Sequence, residues 1–198
     1  SVPLVLVDNH IEKVNSVVTD NTGGAHEAVS HLIRLGHRRI GFIAELLDDL
    51  SFAERFEGYK LALREHNLPY DKALAAEGPQ RQPESGYATM KRLLKRTDLT
   101  AVFAANDSTA AGAIRAIREA GLRVPEDIAV VGFDDGPIAR HTEPPLTTMR
   151  VFRTRMGVMA ARRLLELIED PDQPPTQTVV FTQLIVRESC GQRRSEGR

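Results

Sequence analysis

The stretch TAVFAANDSTAAGAIRAIREAG, Thr100 to Gly121, limits the possible folds more than any other part of the chain. It opens as a continuous apolar run, the pattern of a strand covered on both faces. The run stops at Asn106-Asp107 and turns at once alanine-rich with helical spacing. A two-sided strand joined directly to a helix belongs to a sheet whose connections lie on its faces. The same order recurs along the sequence. Apolar, β-branched runs predict strands over 3–8, 16–20, 39–44, 127–135 and 178–189, with a loop and short edge strand over 144–150. Helical patterns lie between them, over 22–35, 51–67, 84–95 and 153–169. This regular alternation predicts an α/β fold: a mostly parallel sheet with helices on both faces.

The helices carry local signals of their own. Ala25, Ala28, Val29, Leu32 and Ile33 form one stripe at 3.6-residue spacing, and Gly36 is a natural stop after it. Ser51 and Glu54 are spaced as a capping box, with Ala53, Phe56, Tyr59, Leu61 and Leu63 as an approximate inner face. Pro171, Pro174 and Pro175 mark a linker before the last strand. No period of twenty to fifty residues repeats.

Composition excludes several classes of function. The 198 residues carry 26 basic and 27 acidic side chains, a net charge of −1, so no surface of basic excess for a nucleic-acid duplex is expected. The two basic clusters, LGHRRI and GQRRSEGR, read as a solvated turn and a frayed terminus. Apolar runs fall far short of the roughly twenty residues of a membrane helix. Cys190 is the single cysteine, which rules out a disulfide within the chain and fits a cytoplasmic protein; no histidine is near it in sequence, and it reads as inert.

Ligands of open parallel sheets bind beyond the carboxyl ends of the strands, and here those ends share a feature. They read Asp8-Asn9, Asp20-Asn21, Asn106-Asp107 and Asp134-Asp135, and Arg55 follows in the first turns of the helix after the third strand. Such residues serve equally as helix N-caps. Asp107, directly before a helix, reads as the cap, which leaves the Asn106 side chain free for a ligand. No obvious long helix follows Asp134, so a cap is a poorer account of it. Carboxylate, amide and guanidinium together suit a small polar metabolite rich in hydroxyls. Phe52, Phe133 or Phe152 could add an apolar face.

Catalytic readings find less support. In HEAVSH the histidines His26 and His31 are five residues apart, not the four of a zinc-protease helix. No GxSxG elbow, P-loop or GxGxxG occurs, and the TGG at 22–24 is a weak anion signal. Asp134 and Asp135 could form an acid–base pair in a sugar-processing enzyme, but neighbours on a strand face opposite ways. The expectation is a binding protein without catalytic residues, metal or cofactor.

The segments SVPLVLVDN, SVVTDNTGGAHEAVSHLIRLGHRRIGFIA, AERFEGYKLAL, TAVFAANDSTAAGAIRAIREAGLRVPEDIAVVGFDD and PPLTTMR together resemble the regulatory core of the lactose-repressor (LacI/GalR) family of bacterial transcription regulators. The resemblance spans roughly residues 2–190. It implies two Rossmann-like lobes of the periplasmic-binding-protein type, joined by three chain crossings, with a small effector in the cleft. It also implies a dimer that reads operator DNA through an N-terminal helix-turn-helix headpiece, which effector binding loosens or tightens by shifting the lobes. On this pattern, residues 1–19 and 151–180 are a remnant of the N-terminal lobe, residues 20–150 and 181–190 form the C-terminal lobe, and 191–198 are a tail. The headpiece and about half of the first lobe are expected ahead of SVPLVLVD.

Carried over residue by residue, the family's ligand positions fall on Asp8, Arg55, Asn106 and Asp134, with Asp20 and Ser108 beside them. The dimer contacts fall on Ala111 and Ile114 of the helix after Asn106 and on the segment around Thr142. Gln80 or Arg81 stands where many relatives place an aromatic, so a stacked sugar is not required. The implied effector is a sugar or a purine-like metabolite, the implied assembly a homodimer. The alternative with the same fold is an exported sugar-binding protein of a transporter, which would carry a signal peptide in place of a headpiece.

Overall fold

The computed structural model describes residues 2–45, 49–78, 83–95 and 97–191. Strands and helices alternate through them: β1 (Val5–Val7), β2 (Asn15–Thr19), α1 (Asn21–Arg34), β3 (Ile40–Ala44), α2 (Leu50–Glu65), β4 (Ala75–Glu77), α3 (Pro83–Leu94), β5 (Ala101–Ala104), α4 (Asp107–Glu119), β6 (Ala129–Asp134), β7 (Thr147–Arg150), α5 (Arg153–Glu169), β8 (Gln177–Val180) and β9 (Gln183–Ile185). The chain divides into two compact units, Ser1–Asp20 with Val151–Thr182 and Asn21–Arg150 with Gln183–Arg198.

The smaller unit is a parallel sheet in the order β1-β2-β8, with α5 packed on β1 and β2. Arg163 of α5 fastens the proline linker to it. Its Nε donates to Asn15 Oδ1 at 2.9 Å and its Nη2 to the Pro174 carbonyl at 2.8 Å, while Asn15 Oδ1 also accepts the Thr176 N–H.

In the larger unit the sheet order is β4-β3-β5-β6-β7-β9, parallel except for β9. Strand alternation sends successive side chains to opposite faces. Ile43, Val102, Ala104 and Val130 meet Met90 and Leu93 of α3 and Ala110, Ala113 and Ile117 of α4 in one apolar core. On the other face Phe42 packs on Phe56 and Tyr59 of α2 and on Phe103, and the stripe expected on α1 is buried throughout. Each helix pair closes over a glycine. A Cβ on Gly58 of α2 would stand 2.3 Å from the Thr22 carbonyl oxygen of α1, and one on Gly86 of α3 would stand 2.3 Å from that of Thr109 of α4.

Four local readings of the sequence are corrected. The apolar run 178–189 is not one strand. It splits into β8, which pairs with β2, and β9, which pairs antiparallel with β7 in the other sheet, because the chain passes from one unit to the other at Thr182. β7 is not an edge strand: β9 covers its open side, and Thr147, Thr148 and Met149 are fully buried. An unforeseen short strand, β4, lies at the opposite edge. The cap of α2 is Asp49, whose Oδ1 accepts the Ser51 N–H at 3.0 Å, while Glu54 accepts from Asn21 Nδ2 at 2.9 Å instead of reaching back to Ser51. The inner face of α2 accordingly includes Phe52 and Arg55.

Candidate functional site

Arg55 sits one and a half turns into α2 and is only 4% exposed. Burying a guanidinium demands partners, and it has them at the start of α1 and at the carboxyl ends of β5 and β6. Nε donates to Asn21 Oδ1 at 2.9 Å, Nη1 donates to the Ala105 carbonyl at 2.6 Å, and Nη2 lies 3.5 Å from Asp134 Oδ1. Its Cζ stands 3.8 Å from the centre of the Phe133 ring, so the guanidinium lies on an aromatic floor. Phe133 thus supports the arginine, Phe52 stands 5.8 Å from Cζ, and Phe152 caps α5 in the smaller unit.

The strand-to-helix junction at the end of β5 reverses the expected roles of its two polar residues. Asn106, with extended backbone (φ −150°, ψ 170°), is the N-cap of α4, and its Oδ1 accepts the Thr109 N–H at 2.7 Å. Asp107 points inward, 2% exposed. It accepts Thr148 Oγ1 at 2.5 Å and the Gly136 N–H at 2.7 Å. Burial pushes its carboxyl up to about 7. The bonds from Thr148 and Gly136 oppose that shift, and the charges of Asp134 and Asp135 add to it. Asn106 Nδ2 donates one N–H to Glu45 Oε1 at 3.1 Å and has a second to give.

Asp134 and Asp135 end β6 with positive φ angles of 119° and 52°, a backbone state uncommon for residues with a side chain. They face different partners, the divergence expected of neighbours on a strand, although here the backbone has already left the extended conformation. Asp135 accepts Arg150 Nε at 2.7 Å and Arg187 Nη2 at 2.5 Å. Burial raises the Asp135 carboxyl, but the two arginines outweigh it and hold it below the ordinary carboxylate range. Asp134 stays half-buried beside Arg55.

The structure therefore brings Arg55, Asn106 and Asp134 to one edge of the larger sheet, joined by Asn21, Glu45 and Asp107. Ser108 is half-buried in the first turn of α4. Asp8 and Asp20 belong to the smaller unit. Asp8 has φ 56° and accepts Thr19 Oγ1 at 2.8 Å, and the Asp20 N–H donates to the Val180 carbonyl at 3.0 Å. Gln80, Arg81 and the tail from residue 192 lie outside the described residues. Glu45 was absent from the sequence reading although it follows β3 directly, so the strand-end rule that found Asp134 could also have found it.

Other candidates resolve into packing. His26 pairs with Glu65 at 2.8 Å and His31 points into the core, so the two histidines of HEAVSH diverge. His31 Nε2 lies 3.4 Å from Cys190 Sγ, a long-range contact that spacing could not show. Burial first, then Arg34 and His37, lower the His31 pKa. Cys190 is 2% exposed. Ala111 is half-buried and Ile114 is 3% exposed, part of the apolar core as well as of the surface. With Arg115, Ile138, His141 and Thr142 they line a groove of about 660 Å³.

The fold is that of the periplasmic-binding-protein type of domain, and the comparisons agree. The periplasmic binding protein-like domain family matches residues 29–190. The chain belongs to that family and, within it, to the LacI family of transcriptional regulators. A LacI-family sugar-binding transcriptional regulator from Escherichia coli, complexed with phosphate, is 34% identical at a TM-score of 0.86, covering 94% of this chain and 68% of its own. The HTH-type transcriptional regulator CelR of Thermobifida fusca is 43% identical over 179 residues, 90% of this chain and 52% of its own length. The structure of a CelR–cellobiose complex superimposes at a TM-score of 0.86, covering 90% of this chain and 54% of that one. The HTH-type transcriptional repressor PurR of Haemophilus influenzae is 38% identical over 194 residues, 96% of this chain and 57% of its own. The chain thus spans about half the length of the curated relatives it matches.

Proposed function

We propose that the chain is the effector-binding regulatory part of a cytoplasmic, dimeric LacI-type repressor. A small polar metabolite binds at the carboxyl edge of the larger sheet and changes the affinity of a separate DNA-reading segment for its operator. The observation that carries this reading is the buried Arg55. Asn21, Ala105 and Phe133 hold it as a fixed fork beside Asp134, a cost in desolvation that a purely structural surface helix would not need. In this site Asp134 accepts effector hydroxyls, Asn106 donates its remaining N–H, and Arg55 orients Asp134. Asp8, Asp20 and Ser108 are further proposed contributors.

The effector acts by population shift: it favours whichever arrangement of the protein binds it more tightly, and the operator affinity follows. The cellobiose held by CelR at 43% identity supports a sugar as the effector class. Relatives that are regulators at 38–43% identity favour this role over an exported sugar-binding protein. A thermal-shift screen of the full-length protein against cellobiose, glucose and purine bases tests the reading. A ligand at 100 times its Kd adds about 2.7 kcal/mol of apparent stability, and Arg55→Ala is expected to abolish the shift. A shift that survives in Arg55→Ala places the site elsewhere.

A further inference from the structure

Two carboxylates at this edge have no cationic partner among the described residues, Asp107, which is turned into the core onto Thr148 and Gly136, and Glu45. Asp135 has Arg150 and Arg187, and Asp134 has Arg55. Glu45 is 6% exposed, and its Oε1 accepts from two neutral donors, Asn106 Nδ2 at 3.1 Å and Thr109 Oγ1 at 3.3 Å. Among the described residues no donor reaches its second oxygen, Oε2. A nearly buried carboxylate with one open oxygen is stabilised by a donor arriving from outside. Asn106 fixes where that donor must come: its Oδ1 is held by the cap of α4 and its Nδ2 holds Oε1, so the carboxylate cannot swing away without losing that bond.

We infer that Glu45 is a specificity-determining residue of the effector site, selecting an uncharged, hydroxyl-bearing effector and rejecting anionic ones. The inference rests on the effector reading above and narrows it from small polar metabolites to neutral sugars. An anionic sugar would bring its charge against Glu45 and Asp134 in a region of low dielectric, where the described cations are already engaged, Arg55 by Asp134 and Arg150 and Arg187 by Asp135. A neutral sugar gives Oε2 a hydroxyl donor and meets no such repulsion. This is discrimination by a built-in repulsive element as well as by an attractive one.

The test is isothermal titration of the full-length protein with cellobiose and with cellobionate, which carries a carboxylate in place of the reducing end. Glu45→Gln keeps the shape and the acceptor for Asn106 while removing the charge; Glu45→Ala removes both, and circular dichroism checks the fold of each. The wild-type protein is expected to prefer cellobiose at least tenfold. Glu45→Gln is expected to shrink that preference at least fivefold, chiefly by tighter cellobionate binding, and Glu45→Ala to weaken cellobiose as well. A wild-type preference for cellobionate, or a preference unchanged in Glu45→Gln, overturns the inference while leaving a sugar site in place. No binding of either sugar by the wild-type protein overturns the sugar-effector reading itself, and the inference with it.

Discussion

Two of the side chains at the candidate site, Arg55 and Asp107, are set by their neighbours before any ligand arrives. Arg55 has two nitrogens committed to Asn21 and Ala105 and its plane laid on Phe133. A lysine ammonium has neither the fork nor the flat face, so Arg55→Lys is expected to weaken effector binding at least tenfold by calorimetry even though the charge is kept. Asp107 gives a pH prediction. Its pKa of about 7 in the folded chain, against 3.8 for an ordinary aspartate, means that the folded state binds the extra proton between those values. The contribution of this group to stability therefore falls as pH rises from about 4 to 7 and is flat above. Asp107→Asn, which keeps a carbonyl for the Gly136 N–H, is expected to gain on the order of 1–3 kcal/mol over wild type at pH 8 and almost nothing at pH 4. Urea melts at the two pH values measure this; equal differences at both would refute the titration. Asp134 is legible because polar residues end buried strands, and Arg55 because it lies in the first turns of the helix that follows one. Sequence spacing misassigned Asn106 and Asp107 because the choice between cap and core depends on Gly136 and Thr148, which only the fold brings near.

At the scale of elements, the helix pairs owe their close approach to Gly58 and Gly86. Either position as alanine puts a methyl 2.3 Å from a backbone oxygen of the facing helix, and a backbone atom cannot rotate aside. Gly86→Ala is expected to cost about 1–3 kcal/mol, the usual range for overpacking, and to lower Tm in a calorimetric melt; an unchanged Tm would show that α3 slides freely on α4. Helix α5 and most of the parallel order were legible, because amphipathic stripes and two-sided apolar runs are local patterns. The division of 178–189 between two sheets was not, since both halves are apolar and their partners, β2 and β7, are distant in sequence. The covered place of β7, next to the edge strand β9, was hidden in the same way: Thr147 and Thr148 look like edge residues until Ser189, Asp107 and Arg187 supply their hydrogen-bond partners.

At the scale of the whole molecule, the groove beside Ala111 and Thr142 lies one to two turns of α4 from the Asn106 cap. The turn Gly136–Arg140, held to Asp107 through the Gly136 N–H, leads to it from the other side. We propose this face as the subunit contact, with Ala111 and Ile138 at its surface and Ile114 beneath. Ala111→Glu in the full-length protein is expected to shift sedimentation from dimer to monomer; a dimer of unchanged strength would place the contact elsewhere. Small displacements of the Asp134–Gly136 segment on effector binding then have a short route to the partner subunit. The claim at the centre of this account is that the carboxyl edge of the larger sheet senses the effector. Its most direct measurement is effector-driven operator release by the full-length protein, wild type against Arg55→Ala and Asp134→Ala. The account predicts that both variants hold operator yet fail to respond at effector concentrations that switch the wild type. Release by both variants at the wild-type effector concentration would contradict it.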